Sequence, residues 1–185
     1  METKGTAVMA TREFVKSKFG PDGLKKWIES MPEKSAKIYQ GAIMLNNWYE
    51  LRDALVVPTE KISEVFYAGD KKGAWELGRF SADYGLKGIY KIFVSMASPQ
   101  FIISKAGGIL PTYYNPSKIE TEKTDTKSVV VKITEFPEIH EALESRIGGW
   151  MERALEICGC EGLKIQKVKA MSQGHNHTVY DIKWN

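Results

Sequence analysis

The spacing of apolar residues changes at Asn115-Pro116. Before that point they recur at helical intervals; beyond it they alternate, and then return to helical spacing once. A chain with both periods must bury helix stripes against a sheet face, which confines it to the α+β class. Lys118–Glu122, a polar turn near Asp125 and Lys127–Thr134 read as a hairpin, with Val129, Val131 and Ile133 on one face. Pro137 is expected to open the longest helix, with Ile139, Leu143, Ile147, Trp150, Met151, Ala154 and Leu155 on one stripe and Gly159 or Gly162 as its stop. A second hairpin, Leu163–Met171 and Thr178–Trp184 about a turn through Gly174, places Tyr180, Ile182 and Trp184 on one face. Two hairpins flanking a long helix predict a four-stranded antiparallel sheet covered by an N-terminal helical region. The chain then reads as one domain over 1–185, mostly helical over 1–116 and hairpin-helix-hairpin over 117–185.

Within the helical part, Val8, Phe14, Val15 and Phe19 predict a first helix that stops at Gly20-Pro21. Leu24, Trp27 and Ile28 predict a short second one behind Asp22. Trp48–Leu55 and Glu60–Tyr67 read as short helices around a break at Val57-Pro58. Asp70 caps a stronger helix that carries Trp75, Gly78, Arg79 and Ala82 on one face. From Leu86 the chain is apolar through Met96, and Ser98-Pro99 starts a helix that Gly107-Gly108 ends.

A hydrophobic share of 43% and a charged share of 26% over 185 residues are those of a globular chain able to bury a core without staples. The net charge of +3 is spread in mixed sign with no run of five like charges, so no nucleic-acid partner is expected. No stretch reaches transmembrane length, and the Met-Glu-Thr-Lys-Gly start has no apolar leader core. Cys158 and Cys160 are too close for an unstrained disulfide. Reduced thiols and a cytoplasmic location are the expectation.

Cys-Gly-Cys and His175-Asn176-His177 are both too tightly spaced for a usual zinc pair, so no metal is expected. His140 lies among Glu138, Glu141 and Glu144, as on a solvated helix face. Common hydrolase and nucleotide-binding motifs are absent, which leaves no catalytic residue to name and favours a binding module over an enzyme. The aromatic segment is more informative. Tyr90, Phe93, Phe101, Ile102, Tyr113 and Tyr114 are spaced to wall an apolar pocket or simply to fill a core, with Arg79 or Lys91 able to meet a carboxylate.

Several segments resemble a bacterial paralogue family of about 180 residues, expanded in myxobacteria. They are Lys4–Val8, Phe14-Val15 with Phe19-Gly20-Pro21, Trp48-Tyr49, Glu76–Ala82, Gly88–Lys91, Tyr113-Tyr114, Gly148–Glu156 and Asp181–Trp184. That family is similar to 4-vinyl-reductase-type ligand-binding domains, and more distantly to heme-nitric-oxide-binding (H-NOX) and TRAPP-type domains. The resemblance implies antiparallel strands covered by helices around an apolar channel, in which members hold heme, acyl chains or small hydrophobic compounds. Two departures follow from the residues here. No histidine lies in Ile89–Tyr114 to serve as an axial ligand, and the Tyr-x-Ser-x-Arg clamp survives only as an echo in Asn115–Lys118, so heme is not expected. The places of the metal-binding cysteines are taken by Ala170 and Thr178.

The functional expectation is a non-catalytic sensor or carrier for a lipid-like or aromatic molecule. A ligand-free homodimeric scaffold that uses Trp48-Tyr49 is the alternative, and light scattering tests that dimer. A small-molecule enzyme is the weakest reading.

Overall fold

The computed structural model describes residues 1–86 and 99–185, without the side chains of Gln100, Ala106 and Lys123. The chain opens with strand β1 (Glu2–Lys4) and passes directly into helix α1 (Gly5–Glu29). The expected stop at Gly20-Pro21 is a kink: Gly20 takes φ +72° and ψ −175°, and the helix resumes beyond it. α1 is thereby longer than the helix behind Pro137. Helix α2 (Glu33–Gln40) and strand β2 (Trp48–Glu50) follow. Trp48–Glu50 is extended rather than helical because β1 offers it a partner, with Thr3 opposite Tyr49.

From Arg52 the chain is helical through Val56 into α3 (Val57–Tyr67), and its first turn is widened. Pro58 does not break it. Proline lacks the N–H that would bond the carbonyl of Ala54, and the buried Tyr39 hydroxyl donates to that carbonyl instead, at 2.7 Å. Trp27 Nε1 donates to the Pro58 carbonyl at 3.0 Å. Helix α4 (Lys72–Gly85) begins where the Asp70 carboxylate accepts the Lys72 N–H at 2.8 Å.

Helix α5 (Pro99–Tyr113) starts where Ser98-Pro99 predicts but runs through Gly107-Gly108. It ends where Tyr114-Asn115, strand β3, pairs with β1. The small sheet β2-β1-β3 is absent from the sequence reading; its strands are two or three residues long, too short to show a period.

The predicted hairpins form the larger sheet from β4 (Lys118–Asp125), β5 (Ser128–Glu135), β6 (Lys164–Lys169) and β7 (Thr178–Lys183). All its neighbours are antiparallel, in the order β4-β5-β7-β6. Val129 faces Ile182 and Val131 faces Tyr180 across β5 and β7, which puts the apolar alternation of both strands on one face. Helix α6 (Glu141–Ile157) begins four residues after Pro137, because the His140 ring Nδ1 accepts the Ala142 N–H at 3.2 Å. Two apolar clusters result. One joins the sheet face to α6, α5 and Leu51 and Leu55; the other lies among α1 to α4 around Trp27 and Tyr39.

A candidate ligand cavity

The site depends on how closely α4 meets α6. A Cβ on Gly78 would stand 2.0 Å from the Arg146 carbonyl oxygen, and one on Gly149 would stand 2.1 Å from that of Trp75. Gly148 likewise receives the Trp75 ring, 2.4 Å from where its Cβ would be. The two helices therefore touch backbone to backbone, and any side chain at these positions would separate them. Outside this seam Arg79 ion-pairs with Glu152 and, at 2.8 Å, with Glu156. Arg153 reaches Asp83 and Glu156, each at 2.9 Å.

Inside the seam, α1, α4, α5, α6 and the sheet enclose a cavity of about 290 Å³. Its wall is mostly aliphatic and aromatic: Ile102, Leu110, Ile119, Ile147, Trp150 and Met151 are typical. Every Asp, Glu, His and Cys of the chain lies among the described residues, and none of them lines it. The wall residues that carry a polar side-chain group are Thr6, Ser81, Thr121, Tyr84, Tyr113, Tyr114, Trp150 and Arg146. Burial pushes the Tyr113 and Tyr114 hydroxyls up in pKa, with Arg146 acting the other way. Tyr113 is seated by a glycine, since its hydroxyl lies 3.2 Å from where a Cβ on Gly85 would be.

Of the residues named from sequence, Ile102, Tyr113 and Tyr114 stand on this wall. Arg79 does not: its charge is taken by Glu152 and Glu156 on the outer side of α6, and the pairing with Glu156 first of all raises its pKa. Phe101 does not either, being 53% exposed with Lys105 Nζ over its ring at 5.3 Å. Tyr90, Lys91 and Phe93 lie outside the described residues. Trp48 is 37% exposed on β2, with Lys4 Nζ 4.5 Å from its ring centroid.

The sequence reading missed Arg146, which is 2% exposed. Its terminal nitrogens donate to Thr11 Oγ1 at 2.8 Å, the Ala7 carbonyl at 3.0 Å and Ser81 Oγ at 3.1 Å. The available signal was its place between Leu143 and Ile147 on the apolar stripe, beside the Gly148-Gly149 contact. His140, read as lying on a solvated helix face, keeps a 40% exposed side chain that also caps α6 and lies 3.4 Å from Glu60. Cys158 and Cys160 are buried free thiols, pushed up to about 11 by desolvation, which leaves them unreactive. Among the described residues, no helix is long and apolar enough to cross a membrane.

No family model and no curated protein matches the chain. Solved structures do. An H-NOX protein from S. oneidensis in the Fe(II)NO state superposes with a TM-score of 0.76 at 11% identity, over 98% of this chain and 99% of that one. The Fe(II) unliganded H-NOX protein from K. algicida gives 0.71 at 13%, over 98% and 96%. A structure from work on heme distortion in the H-NOX family gives 0.75 at 13%, over 98% and 95%.

The exclusion of heme, drawn from a missing histidine, is corrected by these matches: the chain adopts the fold of proteins described by their iron and heme states. Heme therefore belongs among the candidate occupants. Tested against the wall, it finds no imidazole or thiolate there. The available iron donors are the Tyr113 and Tyr114 phenols and the Met151 thioether, both ligand types that hold heme elsewhere. The Arg146 guanidinium suits a propionate. Bound there, heme would supply an iron centre for small gases. At this level of identity the likeness concerns architecture alone, and the architecture is that of the H-NOX fold.

Proposed function

We propose that this chain is a non-catalytic sensor or carrier module that holds a lipid-like or aromatic molecule, heme included, in the cavity between α5, α6 and the sheet. The observation that carries the reading is the cavity itself. Its 290 Å³ is about twice the ~150 Å³ that accommodates a benzene ring and sits at the lower end of ordinary ligand sites. Native side chains close-pack unless a space is kept for something. A wall with no carboxylate, imidazole or thiol suits binding better than acid–base or nucleophilic chemistry. Each methylene buried there is worth about 0.8 kcal/mol, so an acyl chain needs no further help to bind.

The test is native mass spectrometry of the purified protein, then organic extraction and identification of what is released. A stoichiometric hydrophobic compound is expected. An unliganded mass that stays unchanged after adding decanoic acid, decanol and hemin would overturn the reading.

A further inference from the structure

Two charges on α6 are buried, and they are treated differently. Glu144, 0% exposed, is paired with Lys167 Nζ at 2.9 Å and accepts from the Ser172 and Thr178 hydroxyls. Arg146 has no such counter-charge. The acidic residues are all described, and none is within ion-pair distance of it; residues 87–98 contain no Asp or Glu. Its acceptors are one carbonyl and two hydroxyls, all neutral. Those hydroxyls are themselves committed, Thr11 donating to the Ala7 carbonyl at 2.9 Å and Ser81 to that of Leu77 at 2.8 Å. Their lone pairs are thereby turned to the guanidinium, which is fixed in place without being neutralised.

A buried guanidinium cannot shed its proton, so the cost of its burial stays until an anion arrives. The anion has a route, because Arg146 is one of the residues that line the cavity. Beside it on the wall are Tyr113 and Tyr114. Among the described residues neither hydroxyl makes a hydrogen bond, although Tyr114 is only 6% exposed. The site thus offers one positive charge and two uncommitted hydroxyls at the edge of an apolar space.

We propose that Arg146 anchors a carboxylate, so that the cavity takes an amphiphilic acid. Its apolar body lies along α5 and α6, and its acid group pairs with the guanidinium with a tyrosine hydroxyl as second donor. A single negative charge balances the site, whereas a phosphate would bring about −1.5 to −2 against one arginine. The carboxylate can come from a fatty acid or from a heme propionate. The alternative role for Arg146 is a structural stitch across α1, α4 and α6, and a stitch has no preference among ligand head groups. The inference rests on the cavity being a ligand site.

The experiment titrates the full chain with decanoic acid against decanol, and with hemin against hemin dimethyl ester. Decanoic acid is expected to bind at least about tenfold more tightly than decanol, since a charge-assisted hydrogen bond replaces a neutral one. Arg146→Met should erase that preference while keeping decanol affinity, and Arg146→Lys should restore part of it. Preference within the decanoyl pair alone points to a fatty acid; preference within the hemin pair alone points to a propionate; both support the anchor. Equal affinities within each pair in the unmodified protein would overturn the anchor and leave the cavity reading standing. Preference that persists in Arg146→Met overturns it too. If no probe binds, the ligand reading itself fails. Should Arg146→Met not fold, the acid and alcohol comparison on the unmodified chain still decides.

Discussion

Glu144 shows what a satisfied buried charge does in this chain. Burial alone would raise its pKa, but the Ser172 and Thr178 hydroxyls and the Lys167 ammonium together hold it below the usual carboxylate range. Its oxygens fasten β6 and the turn before β7 to α6, and its main-chain carbonyl accepts the Tyr180 hydroxyl at 2.7 Å. Removing it leaves the Lys167 ammonium and the Ser172 and Thr178 hydroxyls without their acceptor, so Glu144→Ala should cost about 3–5 kcal/mol in urea unfolding at pH 7. The sign of the pH dependence follows from the lowered value. The stabilisation is fully present above the unfolded pKa of about 4.3 and is lost as pH falls through the folded value. Stepping urea midpoints from pH 6 down to pH 3 should show a steeper loss in the natural chain than in Glu144→Gln; equal slopes would rule the assignment out. Neither this residue nor Arg146 was legible as buried, because a charged letter on a helix ordinarily means solvent. The signal that could have exposed both is that α6 is flanked by apolar positions on two sides, the sheet side and the α4 side, leaving little surface for Glu144 or Arg146 to occupy.

Among elements, α4 and α6 set the position of the site, and they do so through glycines. Gly78→Ala puts a methyl 2.0 Å from a main-chain oxygen, a contact that side-chain rotation cannot relieve. The helices must separate, which should cost about 1–3 kcal/mol, read as a lowered urea midpoint. Because Arg146 and Ser81 stand on the two helices involved, loss of decanoic acid affinity should accompany it. An unaltered midpoint would mean that the seam is looser than its geometry. Elements with a strong local period were legible: the two hairpins, the place of α4 and the start of α5. The inward face of α4 was legible only at Gly78 and Ala82, while Ala74 and Leu77 are buried where Trp75 and Arg79 were expected. Two of the misreadings, at Pro58 and at Trp48–Glu50, share a cause, in that a local preference lost to a distant partner. Pro58 was expected to break a helix, and Tyr39 supplies the missing donor from α2. Gly107-Gly108 was expected to end α5, but both residues are exposed, where glycine weakens a helix without stopping it. Trp48–Glu50 became a strand because residues at the start of the chain came to pair with it.

For the molecule as a whole, the class of fold could be read from the change of period, while the cavity could not be located. Its wall draws residues from α1, α4, α5, β3, β4, β5, α6 and β7, and although α6 supplies six of them between Arg146 and Leu155, no one segment contains the rest. A space of this kind links stability to occupancy. A ligand that binds the folded chain alone stabilises it by about 2.7 kcal/mol at a hundred times its dissociation constant, so decanoic acid should raise the melting temperature. Ile102 offers a way to break that link from the helical side of the wall, away from the Arg146 contacts with α1 and α4. Ile102→Trp places an indole where the ligand body would lie and adds contacts to a wall that lacks them. The variant alone should melt no lower than the natural chain, and its thermal shift with decanoic acid should vanish. A variant that melts normally and still shifts fully would mean that the acid binds elsewhere, and that the space behind α5 serves the fold without serving a ligand.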